Sequence, residues 1–211
     1  MTSPSTAHIV LATRNLHKLD EVRAILAPLV PQLDPAAIHS AAEYDLPEPV
    51  EDEVTFAGNA LIKARQIVRE LEVPAMADDS GLCVDVLGGA PGVFSARWCG
   101  HHGDDAANLQ LLLNQLSDVP DAHRGAHFAC AAVLVLPDGR EFVEMGRMEG
   151  TLLRAPVGEH GFGYDPIFQA QGYEVSTAEM EPAEKNAISH RARAFAALAP
   201  RVARALVETA Q

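Results

Sequence analysis

Aromatic side chains are scarce in this chain, at 5% of 211 residues, and so are cations: 16 Lys and Arg stand against 29 Asp and Glu, for a formal charge of −13. So acidic a protein is poorly suited to wrapping a nucleic-acid polymer or docking on an anionic membrane. It can still bind a small anion where its few cations converge. Cysteine is limited to Cys83, Cys99 and Cys130, an odd number with no CxxC spacing. That argues against a disulfide framework and for a reducing compartment. No apolar run approaches transmembrane length. The start, "MTSPSTAH", has neither the basic n-region nor the apolar core of a secretory signal. Repeats, low-complexity segments and linkers are also missing. The expectation is one soluble, cytoplasmic domain.

What is present alternates between strand and helix. "HIVLAT" (8–13) is a β-branched run feeding "NLHKLDEVRAILAPL", where Leu19, Val22, Ile25, Leu26 and Leu29 recur at helical spacing and Thr13 or Asn15 can cap. Residues 31–50 read as loop around a short strand near Ile38, and 52–71 as an amphipathic helix with Ala57, Leu61, Ala64, Val68 and Leu71 inward. "VPAMAD" and "GLCVDVL" read as two strands, with a sharp bend at Ser80-Gly81 that leaves Asp78 and Asp79 exposed at a strand end. "GGAPG" is a turn, 104–116 a helix, and 126–150 a long hairpin turning at Asp138-Gly139. "GFGYDPIF" is a glycine-rich loop before a short strand, and 189–208 a helix that Pro200 should kink or interrupt. The pattern implies an α/β fold with a mixed sheet.

Several stretches can carry chemistry, and each has a plainer account. In "TRNLHK" (Thr13 to Lys18), a strand feeding a helix start offers backbone N–H groups, a positive dipole end and the Lys18 charge to a phosphate. Alone, it reads better as an ordinary capped helix with a solvated lysine, since it is not a Walker-type loop and many strand-to-helix turns look like it. His190 and Arg191, following the cap residue Ser189, put cations at a helix N-terminus, against the dipole. Either an anionic ligand or a pairing with Glu181 or Glu184 explains them. Asn59 and Lys63 lie one turn apart and read as a solvated face, while "EDE" (51–53) suits the start of that helix. Asp78 and Asp79 could hold Mg²⁺ or form an acidic turn. In "GFGYDP", Phe162 could stack on a base with Asp165 accepting hydrogen bonds, or the rings could be core. His101-His102 beside Cys99 lacks a second ligand pair and reads as a polar loop. Together these elements describe a nucleoside triphosphate site. An aspartyl-phosphate phosphatase would want DxD rather than adjacent acids. A non-catalytic nucleotide sensor would keep the cations and Phe162 without needing Asp79.

"TRNLHK", "TFAGNALIKA", "ADDSGLCVDVLGGAPGVFSARW", "GFGYDPIF" and "KNAISHRARA" resemble, in order, motifs of the inosine triphosphate pyrophosphatase family, from about residue 8 to about 207. The resemblance implies hydrolysis of non-standard purine nucleoside triphosphates (ITP, dITP, XTP) to monophosphate and pyrophosphate. It implies a single domain over 1–211, with two lobes around a long, mixed, twisted central sheet flanked by helices, an active-site cleft between the lobes, and a homodimer. Residue by residue, Thr13, Arg14, Asn15, Leu16, His17 and Lys18 match the phosphate-binding motif, with Arg14 where many relatives carry a small residue. Asp79 matches the general base and Mg²⁺ ligand, and Ser80 a substrate contact. Glu51 matches a metal-associated glutamate, with Asp52 or Glu53 as substitutes. Phe162, Gly163, Tyr164 and Asp165 match the base-binding loop. Lys185, His190 and Arg191 match a group contacting the nucleotide, including the 6-keto edge of the base. Lys63 and Arg97 match basic, phosphate-facing positions.

Overall fold

A computed structural model describes residues 8–209, so most of the amino-terminal stretch read above for a signal lies outside the described residues. Strands β1 (Ile9–Leu11), β2 (Ile38–Ser40), β3 (Ala75–Val84), β4 (Gly125–Val135), β5 (Glu141–Leu152) and β6 (Phe168–Ala170) form one six-stranded sheet in the order β2-β1-β3-β4-β5-β6. β1 pairs parallel with β2 and β3, whereas β5 pairs antiparallel with β6. The sheet is mixed, as the alternating pattern and the hairpin imply. Among the described residues, five α-helices accompany it: α1 (Leu16–Leu29), α2 (Phe56–Leu71), α3 (Asp105–Gln115), α4 (Pro182–Ile188) and α5 (His190–Thr209).

The chain divides into two compact units, the first made of residues up to Asp79 with Ala131–Gly146 and the segment from Arg191, the second of Ser80–Cys130 with Arg147–His190. In the first, the core is built from Val10, Ala60, Ala64, Ile67, Ala75, Ala77, Val133 and Val135. Burying each large aliphatic side chain stabilises by roughly 1.5–3 kcal/mol. α2 turns Ala60, Ala64 and Ile67 inward, with Asn59 and Gln66 beside them, so Ala64 is buried as expected while Ala60 and Ile67, one residue earlier, take the places expected of Leu61 and Val68. Leu61, Val68 and Leu71 pack at its margin. The second unit surrounds Leu82, Leu112, Leu116, Phe128, Met148, Ile167 and Phe168.

Three local expectations need correction, and one element is new. β3 runs unbroken through Asp78, Asp79, Ser80 and Gly81, without the bend expected there. It lies in the sheet between β1, which pairs with it at Ala75 and Met76, and β4, and its place in the sheet outweighs the turn tendency of Ser-Gly. α2 starts at Phe56, not residue 52, because Thr55 caps it by accepting the Gly58 N–H at 3.0 Å; no acid lies in its first turn. α5 continues through Pro200 without the interruption that was one of the two expectations there, and α4 was not foreseen at all. The hairpin turn does form at Asp138-Gly139, with Gly139 at φ 88° and its N–H donating to the Leu136 carbonyl.

Arg124 is an unexpected keystone of the second unit. At 2% exposure, its guanidinium donates to the carbonyls of Leu116, Leu152 and Leu153, tying the end of α3 to the end of β5. Arg124→Met would leave three acceptors without this donor. We expect a loss of about 3 kcal/mol or more, measurable as a lower midpoint in urea unfolding. An unchanged midpoint would show that other groups satisfy those carbonyls.

Candidate active site

In a strand, neighbouring side chains leave on opposite faces, which lets Asp78 and Asp79 sit side by side in β3 with different partners. The Asp78 side chain is 1% exposed, and its Oδ2 accepts from Lys18 Nζ at 3.3 Å and Arg191 Nε at 3.2 Å. Arg191 Nη1 in turn donates to Glu21 Oε2 at 2.7 Å. Burial alone would push the Asp78 carboxyl up. The Lys18 and Arg191 charges, then Lys63 and the Arg191 hydrogen bond, overcome that and hold it well below the usual carboxylate range. Asp78 is therefore a fixed anion around which cations from α1 and α5 gather.

Asp79 is set differently. Its Oδ2 accepts from Asn59 Nδ2 at 3.1 Å, while Oδ1 lies 3.7 Å from Lys63 Nζ. The same ammonium lies 3.4 Å from Glu51 Oε1. Asn59 is 1% exposed and is itself held by accepting the Glu53 N–H at 3.1 Å. Burial raises the Asp79 carboxyl above its ordinary value; Lys63 opposes this, Glu51 adds to it, and Asn59 and Lys18 draw it down without cancelling the rise. Glu21, Glu51, Asp78 and Asp79 outnumber Lys18, Lys63 and Arg191, so the cluster keeps an excess negative charge. Two hard carboxylates turned to one cation, with negative charge in excess, fit a divalent ion. No group of three or more His, Cys, Asp or Glu among the described residues forms an all-protein cage. Mg²⁺ needs none, since it takes one or two carboxylates and completes its shell with waters and phosphates.

The turn from β1 into α1 is capped by Asn15, whose Oδ1 accepts the N–H groups of His17 at 2.9 Å and Lys18 at 3.4 Å. Thr13 Oγ1 accepts from the Asn15 N–H, and the Thr13 carbonyl accepts from Ser40 Oγ. Leu16 and His17 are exposed. Arg14 reaches to the Leu46 carbonyl and toward Glu48, so it ties this turn to the following loop.

In the second unit, Asp165 is a buried brace. It accepts the Phe162 N–H at 2.8 Å, the Thr177 hydroxyl at 3.0 Å and the Lys185 ammonium. Gly161 has φ 76°, and a Cβ there would lie 2.2 Å from Asp165 Oδ2, so only glycine admits this close approach. Gly163 donates to Asp105 Oδ2 at 2.9 Å. Phe162 is left 55% exposed, with Lys185 Nζ 5.2 Å from its ring centroid. Tyr164 is core, its hydroxyl donating to the Ser95 carbonyl. A half-bare ring on a tightly braced loop suits stacking. We expect Phe162→Ala to leave the melting temperature nearly unchanged while weakening nucleotide binding by about 1–3 kcal/mol, read as a higher KM. A large melting shift with unchanged KM would assign the ring to packing.

Other expected positions fall differently. His190 is buried and stacks on Phe128 at 5.0 Å, and Arg191 is buried between Asp78 and Glu21. Neither stands out from the helix start awaiting a ligand, and the acids that hold Arg191 are not Glu181 or Glu184. Asp165 is occupied within its loop rather than open to a base. Asn59 and Lys63 turn to the Asp79 carboxylate instead of forming a solvated face. Arg97 lies over the Phe94 ring and contacts His102. Ser80 follows Asp79 directly in β3. Glu21, Asn59 and Thr177 went unrecognised. For Glu21 the available signal was its place three residues after Lys18 on the same helix face.

Comparison with known proteins gives the same direction. The Ham1 family profile matches residues 9–201. A dITP/XTP pyrophosphatase of Streptomyces avermitilis is 58% identical over 192 residues, covering 91% of this chain and 95% of that protein. One from Leifsonia xyli is 54% identical over 198 residues, covering 94% and 96%. Among solved structures, a HAM1 protein from Coxiella burnetii matches with a TM-score of 0.82 at 38% identity, covering 95% of this chain and 98% of the other. A Mycobacterium abscessus nucleoside-triphosphatase, also described as a dITP/XTP pyrophosphatase, matches with a TM-score of 0.76 at 48% identity, covering 92% and 99%. The resemblance read from five short motifs thus extends over the whole fold, and this chain belongs to the Ham1 family.

Proposed function

We propose that this protein hydrolyses non-standard purine nucleoside triphosphates (dITP, ITP and XTP) to the monophosphate and pyrophosphate, breaking the bond between the α and β phosphates and so cleansing the nucleotide pool. The observation that carries this reading is the division of labour across β3. Asp78 fixes two cations, while Asp79, one residue on, keeps a carboxylate that is costly to ionise beside Glu51 and Lys63.

Glu51 and Asp79 would hold Mg²⁺, which when bound offsets triphosphate charge and polarises a phosphoryl oxygen. Asp79 accepts the proton of the attacking water. A carboxylate raised toward the working pH is a better base than an ordinary one, and Asn59, by holding Oδ2, sets the direction of Oδ1. Lys18 and Lys63 face the developing phosphate charge. Arg191 acts through Asp78, the carboxylate that it and Lys18 share, rather than by reading the base.

The base stacks on Phe162, and the Lys185 ammonium beside that ring donates to the 6-oxo group. Adenine presents a donor at that edge, so two donors would face each other; an unmet buried donor costs about 1–3 kcal/mol, more when charged. The acidic surface supports a free nucleotide rather than a nucleic-acid polymer as substrate. No helix among the described residues is long and apolar enough to cross a membrane. The family resemblance supports a cytoplasmic homodimer, which light scattering on the purified protein would test. Incubation with ITP and Mg²⁺ tests the reaction. Pyrophosphate release supports it, whereas orthophosphate or no product overturns it.

A further inference from the structure

We propose that Lys63 is a place-holding cation, whose ammonium neutralises Glu51 and Asp79 in the nucleotide-free protein and must leave their oxygens when the divalent ion arrives, so that metal enters together with nucleotide rather than ahead of it. The inference rests on the reading above that Glu51 and Asp79 hold the metal, and adds an order of events to it.

The geometry supplies three reasons. First, the ammonium is shared: Lys63 Nζ lies 3.4 Å from Glu51 Oε1 and 3.7 Å from Asp79 Oδ1. Second, Asp79 has little else to offer. Its Oδ2 accepts from Asn59 Nδ2, so Oδ1 is the oxygen that the ammonium and an incoming ion both seek. Third, the Lys63 side chain is only 13% exposed, so its charge is poorly screened by water and acts strongly on anything binding at those oxygens.

A bare divalent ion must therefore expel a like charge and leave the ammonium without its two carboxylates. A metal carried on a triphosphate imposes no such loss. Lysine is a compact charge on a flexible stem, and the arriving phosphates offer it new anions within a short swing. Metal and nucleotide then favour each other's binding, and such coupling is reciprocal.

The test measures Mn²⁺ binding to the full-length protein by the loss of the free-ion electron paramagnetic resonance signal, with and without a non-hydrolysable ITP analogue. Without nucleotide, Lys63→Met should bind Mn²⁺ about tenfold tighter or more than wild type, because a neutral side chain of similar length removes the competing charge. Lys63→Arg, which keeps the charge, should stay within about threefold of wild type. The gain in Mn²⁺ affinity that the analogue brings to wild type should shrink in Lys63→Met. Lys63→Gln serves in its place should the Met variant fail to fold by circular dichroism. Mn²⁺ binding to the neutral variant no tighter than to wild type overturns the proposal, since a lysine that only contacts phosphate predicts that result. Pyrophosphate release by wild type is measured alongside. Its presence with unmoved Mn²⁺ affinity sinks the place-holding role alone, and its absence sinks the hydrolase reading and this proposal with it.

Discussion

Asp79→Asn should lower pyrophosphate release at saturating ITP and Mg²⁺ by about a hundredfold or more, with the fold as stable as wild type to within about 1 kcal/mol. Both halves of that expectation come from the same contacts. An amide cannot accept the water proton and ligates a hard cation weakly, so turnover falls. The wild-type carboxylate, however, is not a comfortable group in this fold: burial and Glu51 raise its pKa, which means that ionising it costs folding free energy. The amide removes that cost, and its oxygen can still accept from Asn59 Nδ2, so little stability is lost. Binding of a non-hydrolysable ITP analogue should persist, since Phe162 and the cations are untouched. Near-normal turnover in a folded variant would remove Asp79 from the chemistry.

Asp78→Asn should behave in the opposite sense. This carboxylate is stabilised by its surroundings, and removing its charge leaves Lys18 Nζ and Arg191 Nε facing a neutral group. Breaking a buried charge cluster on one side costs about 3–5 kcal/mol, and Glu21, which keeps its pairing with Arg191, places the result toward the lower end. For a chain of this size the melting temperature should fall by on the order of 10 °C, which calorimetry reads directly. Two chemically identical substitutions at adjacent positions would thus separate into an activity loss and a stability loss. A melting temperature within a degree or two of wild type would mean that Asp78 is not the anchor of this cluster.

Sequence periodicity located most elements wherever the signal was local. α1 and α3 showed leucines at helical spacing, and the hairpin showed Asp138-Gly139. β3 was misread because its continuity depends on flanking strands, and Ser80-Gly81 alone favours a bend. The start of α2 was misplaced because acids suit a helix start in general, whereas Thr55 fills the capping position here. At the site, the motif residues stood out through family likeness, but their partners did not. Arg191 finds Asp78 across 113 residues and Glu21 across 170, and no window of sequence contains both ends of either pair. Asn59 looked like an ordinary polar residue on a helix because its hydrogen-bond partners, Glu53 and Asp79, both lie off that helix.

The two-residue repeat of β3 carries an evolutionary consequence. Inserting or deleting one residue between Ala75 and Asp78 would exchange the faces of both aspartates, delivering the anchor to the reaction and the base to the interior. The hairpin tip around Asp138 faces no such parity rule, so a length change there leaves both faces of β3 as they are.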